Sequence, residues 1–183
     1  MLVGTDAQGR WPCVNINVNQ QTIDNFVVIG TKQVEYEFTT EIDQEYFTLD
    51  IVYYNKTDQD TVVDDQEQIT ENQNIIVDRV IVNGVDLVRT NLIYRVGTYT
   101  MHLSPHKQQY FIDRGINVEP SHSLSMYENG VWSIQLGVPV LSFLSQKQQS
   151  VELAEQQDTQ IILEEIYQKI LVCKSLVQEV HKC

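Results

Sequence analysis

Basic residues are scarce in this chain: 12 Lys and Arg stand against 25 Asp and Glu, a formal net charge of −13 over 183 residues. Contact with nucleic-acid phosphates or with anionic lipid needs a basic surface, so the composition speaks against both kinds of partner. Cysteines are few and odd in number (Cys13, Cys173 and Cys183), with no C-x-x-C pair. A disulfide framework is not expected, and a reducing compartment is the simpler inference. No stretch reaches the roughly 20 apolar residues of a membrane span. The opening MLVGTDAQGRW lacks the apolar core of a signal peptide. These absences predict a protein made in the cytosol that stays there or leaves without a signal peptide, for example inside a virus particle. Only eight glycines are present and none cluster, which excludes a phosphate-cradling loop. No Gly-x-Ser-x-Gly elbow exists, and Pro105 prevents His102 and His106 from sharing one helical face. The residues thus point away from an enzyme.

What the chain does have is alternation. Val14, Ile16 and Val18 alternate with asparagines; Phe47, Leu49, Ile51 and Tyr53 alternate again, with Asp50 on the opposite face. Ile75 to Val82 alternates and ends in Asn83-Gly84, a strong hairpin signal. Further strands are predicted at Val34–Phe38, Leu92–Val96, Thr98–Leu103, Leu124–Tyr127 and Val131–Leu136, the last two joined by a turn at Glu128-Asn129-Gly130. Lys107–Pro120 reads as irregular. Many short strands separated by turn signals, with no helical period between them, predict a mainly β fold. The expectation is a jelly-roll-like antiparallel β-sandwich over 1–144.

Composition changes near Ser145. Leu163, Ile166, Ile170, Cys173, Val177 and Val180 recur at spacings of three and four, an apolar seam of about two and a half heptads. An isolated helix of this length is marginal in water. Residues 145–183 are therefore expected to form a C-terminal helix that buries its stripe, against a copy of itself, a larger assembly or the sandwich. Self-association or docking is favoured, because the polar stretch ahead of the stripe holds it away from the sandwich.

The segment from Asn55 to Asn74 carries Asp58, Asp60, Asp64, Asp65, Glu67, Glu71, Asn72 and Asn74. Such hard oxygens are the ligands calcium takes, six to eight at a time. The glycine and flanking helices of an EF-hand are missing. What remains is either a sandwich-edge calcium site, with Asp60, Asp64, Asp65 and Asn72 as its ligands, or a solvated acidic loop that blunts a sheet edge. Tyr54, next to that loop and opposite Tyr53 on its strand, is the candidate to stack on a sugar ring. Trp132, alternating with Ile134 and Leu136, reads as core.

Asn72 to Gly84, together with Val14 to Asn19 and Gln33 to Phe38, resembles calcium-dependent xylan-binding and related carbohydrate-binding modules. The resemblance covers roughly residues 13–87. It implies a jelly-roll sandwich that holds sugar through a calcium ion at a loop end. Asn55 and Asn74, at the two ends of the acidic segment, join Tyr54 as candidate ligand-binding residues. The chain departs from the pattern in having Asn72 and Gln73 where the family has Asp and Arg. Modules of this look also occur in bacteriophage particles. The expected role is a non-enzymatic structural or adhesive virion component, oligomeric or bound to other virion proteins through its C-terminal helix. The alternative is a calcium-dependent carbohydrate-binding module whose partner is a polysaccharide.

Overall fold

Alternation becomes pairing in the computed structural model, which describes residues 1–66, 68–87, 93–140, 142–146 and 149. The chain divides into Met1–Phe143 and Leu144–Cys183, and every described strand lies in the first unit. The seam from Leu163 to Val180 lies outside the described residues.

The larger sheet is built from β2 (Cys13–Val18), β3 (Gln21–Val27), β4 (Tyr46–Tyr53), β10 (Thr98–Met101) and β12 (Gly130–Gly137), in the order β10-β12-β4-β2-β3. A smaller sheet joins β1 (Leu2–Thr5), β7 (Asn74–Val77) and β11 (Ser125–Met126), in the order β1-β7-β11. Every pairing is antiparallel. Two hairpins complete the strands: β5 (Thr61–Val63) with β6 (Ile69–Asn72), and β8 (Ile81–Val82) with β9 (Val85–Asp86). The mainly β, antiparallel class expected from the alternation is the class observed.

Register explains the core. Ile16 pairs with Ile51, Ile51 with Trp132, and Trp132 with Tyr99, so one row of buried side chains crosses four strands. Val18, Leu49 and Ile134 form the next row. The smaller sheet contributes Leu2 opposite Val77, and Ile75 opposite Met126, all buried. Each such side chain stabilises the fold by about 1.5–3 kcal/mol when fully removed from water. Two buried tyrosines bridge the layers. The Tyr53 hydroxyl donates to the backbone oxygen of Gln73 (3.1 Å), just before β7, and the Tyr99 hydroxyl donates to that of Glu128 (2.6 Å), just after β11.

Asn83 and Gly84 adopt φ of 50° and 77°, the doubly left-handed geometry of a tight hairpin turn. The chain does not run straight into that hairpin: β7 ends at Val77 and β8 starts at Ile81, so the expected continuous strand is two.

Four further expectations are corrected. Val34–Phe38 is not a strand. Only Val34 bridges, to Leu2, while Tyr36 stacks on Phe26 at 3.6 Å and donates to the Val27 oxygen. The apolar side of that segment covers the β3 edge instead of extending a sheet. The segment near Leu92–Val96 is a short helix, α1 (Ile93–Val96), with Leu92 outside the described residues. Gly97 ends it, where an added Cβ would lie 2.5 Å from the Trp132 ring. Lys107–Pro120 is not all irregular, because α2 (Pro105–Asp113) forms there. Ser104 caps it, accepting from the Lys107 amide, and Pro105 sits in its first turn. The helix has no buried residue, which is why no apolar period announced it.

The fourth concerns Glu128-Asn129-Gly130, which is not a hairpin turn. β11 and β12 belong to different sheets, and Gly130 is not left-handed. Its glycine is needed for closeness, since a Cβ would meet the Thr100 oxygen at 2.2 Å.

Trp132 is fully buried at the centre of its row. Trp132→Ala is expected to lower the unfolding free energy in urea by about 3–5 kcal/mol, with the melting curve shifted to match.

Candidate functional site

Past the end of β4 the strand alternation breaks, and the residue that turns inward is Lys56. Tyr53 points inward, Tyr54 is half exposed, Asn55 is partly covered and Lys56 is buried, 6% exposed. Lys56 is the one basic residue between Lys32 and Arg79, and its ammonium has been drawn into the molecule. Its backbone is clamped by a side chain that imitates a neighbouring strand. Asn129 Oδ1 accepts from the Lys56 amide (2.8 Å), and Asn129 Nδ2 donates to the Lys56 carbonyl (2.8 Å).

The Lys56 Nζ donates to Asn72 Oδ1 (2.7 Å), the Gln73 backbone oxygen (3.0 Å), Asn74 Oδ1 (3.4 Å) and the Tyr127 backbone oxygen. None of these four acceptors is charged. A buried ammonium is tolerated only when its protons are all satisfied, and this arrangement offers four oxygens for three N–H bonds. Burial pulls the amine down from its ordinary 10.5 to about 8; Lys107 pushes the same way, while Glu128 and Asp60 oppose it.

Each wall of this cage has its own support. Gln73 is fully buried. Its Oε1 accepts from the Tyr53 hydroxyl (2.8 Å), its Nε2 donates to the Arg10 oxygen (2.8 Å), and its backbone N–H donates to the Asp60 oxygen (2.9 Å). Asn72 Oδ1 also accepts from Thr61 Oγ1 (2.9 Å). The Asn74 amide donates to Thr5 Oγ1 (3.1 Å). Glu128, following Tyr127, is held at both backbone groups by the Tyr99 hydroxyl. Burial raises the phenols of Tyr53 and Tyr99 well above their usual range, so both act as permanent neutral donors.

Charged pairs flank the cage. Lys107 Nζ meets Glu128 Oε2 at 2.6 Å and Asp58 Oδ1 at 3.4 Å. Arg10 Nη2 meets Asp60 Oδ1 at 2.9 Å, and Asp60 Oδ2 accepts from the Thr57 amide and hydroxyl, both at 2.7 Å.

The residues expected to bind calcium are thus distributed. Asp60 is buried against Arg10 and Thr57. Asn72 faces Lys56 and Thr61. Asp64 and Asp65 are exposed at the β5–β6 turn, where Asp64 Oδ1 accepts from the Gln66 and Gln68 amides; Glu67 lies outside the described residues. Among the described residues no group of three or more His, Cys, Asp or Glu converges. Of the expected ligand contacts, Asn74 is a wall of the cage. Asn55 is structural: its Oδ1 accepts from the Cys13 amide (2.6 Å) and its Nδ2 donates to the Trp11 oxygen (3.0 Å). Tyr54 is 50% exposed and Tyr127 is 53% exposed. Both are rooted in the lysine, Tyr54 two residues ahead of it and Tyr127 through its carbonyl. Sequence reasoning did not select Lys56, Gln73 or Asn129 for this site; the isolation of Lys56 among acidic residues was the available signal.

Asn129→Ala removes both bonds to the Lys56 backbone and is expected to cost about 1–3 kcal/mol in urea unfolding. The pH dependence follows from linkage. The folded amine titrates near 8 and the unfolded one near 10.5, so the unfolded chain holds more protons in that window and stability rises with pH across it. The stability of the wild type relative to Lys56→Met is therefore expected to rise between those two pH values, as read from paired urea midpoints.

No protein-family model matches the chain, and no curated protein matches it. It is similar to a solved structure, vCBM60 in complex with galactobiose, at 15% identity and a TM-score of 0.45, with 73% of this chain and 92% of that chain covered.

Proposed function

We propose that this chain is a non-enzymatic carbohydrate-binding module whose contact surface is organised around Lys56. The observation that carries this reading is the contrast among its aromatic side chains. Tyr53, Tyr99 and Trp132 are buried, whereas Tyr54 and Tyr127, held by the same rigid network, each leave half of their surface to solvent. A half-exposed phenol presents a flat apolar face to a pyranose ring and a hydroxyl to its edge. Fixing such rings on a network that is already ordered lowers the entropy lost on binding. The acidic balance of the whole chain, −13, favours a neutral polysaccharide over one carrying carboxylate or sulfate.

Single sugar sites of this kind are weak. An oligomer formed through residues 146–183 would add avidity through effective concentration. Light scattering on the full chain, and on a chain ending at Ser145, tests that part separately.

Affinity electrophoresis through gels containing neutral polysaccharides, xylan and galactan among them, tests the main reading. Retardation is expected, and Tyr54→Ala or Tyr127→Ala is expected to weaken it about tenfold, equivalent to about 1.4 kcal/mol. Wild-type migration unchanged by every neutral polysaccharide would overturn the proposal.

A further inference from the structure

The cage around Lys56 Nζ has the properties of a ligand site that already contains its ligand. Its acceptors are two side-chain amide oxygens and two backbone carbonyls, all neutral. The nearest carboxylates are engaged elsewhere, Glu128 with Lys107 and Asp60 with Arg10. Calcium normally draws six to eight oxygens, several of them anionic. A primary ammonium has three N–H donors, which this smaller neutral set matches.

The walls do not depend on the lysine for their position. Tyr53, Arg10 and the Asp60 carbonyl hold Gln73; Thr61 holds Asn72; Thr5 holds the Asn74 backbone; Tyr99 holds the backbone after Tyr127. Asn129 fixes the Lys56 backbone from outside. Shortening the side chain at Cβ therefore removes the occupant and leaves the receptor.

We propose that this cage is a primary-amine site, self-occupied by Lys56, in the region where the sequence suggests a metal ion. The lysine acts as a tethered ligand that ties the β6–β7 junction to the end of β11. The proposal stands whether or not the chain binds sugar.

The test is chemical rescue of Lys56→Ala in the full chain. Propylammonium supplies the missing three carbons and the ammonium. Lys56→Ala is expected to melt below the wild type, and saturating propylammonium chloride to raise its melting temperature by about 5 °C relative to sodium chloride of equal ionic strength. Tetramethylammonium has the charge and no N–H, so it is expected to give no such rise. The wild type, whose cage is filled, and Lys56→Met, whose side chain occupies the path the propyl chain would take, are expected not to respond to propylammonium. Should Lys56→Ala fail to fold alone, recovery of folded protein on dilution from urea with propylammonium reads the same quantity. Equal behaviour of Lys56→Ala in propylammonium and sodium, or no recovery from urea with the amine, would overturn the assignment. Rescue by calcium chloride and not by propylammonium would overturn it in favour of a metal site.

Discussion

One buried positive charge orders this end of the molecule. Removing an ammonium from water is costly unless every proton finds an acceptor. Around Lys56 the acceptors are amides and carbonyls from two separate chain segments, Asn72 to Asn74 and Tyr127, which meet the lysine that follows β4. Those segments are far apart in sequence, so the bonds act as a cross-link between the two sheets. The pairs Lys107–Glu128 and Arg10–Asp60 are neutral within themselves, so the lysine's charge is met by amide and carbonyl dipoles.

The lysine cross-link works because the sandwich beneath it is already aligned. Tyr53 and Tyr99 belong to the rows of the larger sheet and reach the smaller one through their hydroxyls. An aromatic ring in the core with a polar tip serves both purposes: the ring contributes buried area and the hydroxyl sets the register between layers. Gln73 receives the Tyr53 hydroxyl at both its side-chain and backbone oxygens. It passes the constraint on through its bond to Arg10. The outward residues Tyr54 and Tyr127 inherit that rigidity without being buried themselves.

Much of the sandwich was legible because its strands are half buried. The residues Val14 to Val18, Phe47 to Tyr53 and Val131 to Leu136 alternate, and each inward side chain occupies the face its position predicts. Trp132 was legible for the same reason. Segments that bury nothing, or that are apolar without a sheet to join, were not. Helix α2 has no buried residue to generate a period, and the Val34–Phe38 alternation serves an aromatic stack on an edge strand. The β2–β3 hairpin turns on Asn19 and Gln20, both left-handed without a glycine. It escaped notice because local turn rules weight glycine most heavily. Asn129-Gly130 carried the opposite error: the dipeptide looked like a turn, but its asparagine is used by Lys56.

The candidate site divides along the same line. The sequence by itself determined the mainly β class, the inward face of the central strands and the exposure of Tyr54, because these follow from alternation along a single strand. It also showed a lone lysine amid acids and amides. Only the tertiary structure decided what those groups do to one another. Solvent-like acidic loops and ion-binding loops have the same composition, and the difference lies in which oxygens are already satisfied. Asp60 is ion-paired to an arginine some fifty residues earlier, and the Asn72–Asn74 oxygens accept from an amine. Hydrogen bonding across long sequence separations is set by packing, which no local pattern encodes.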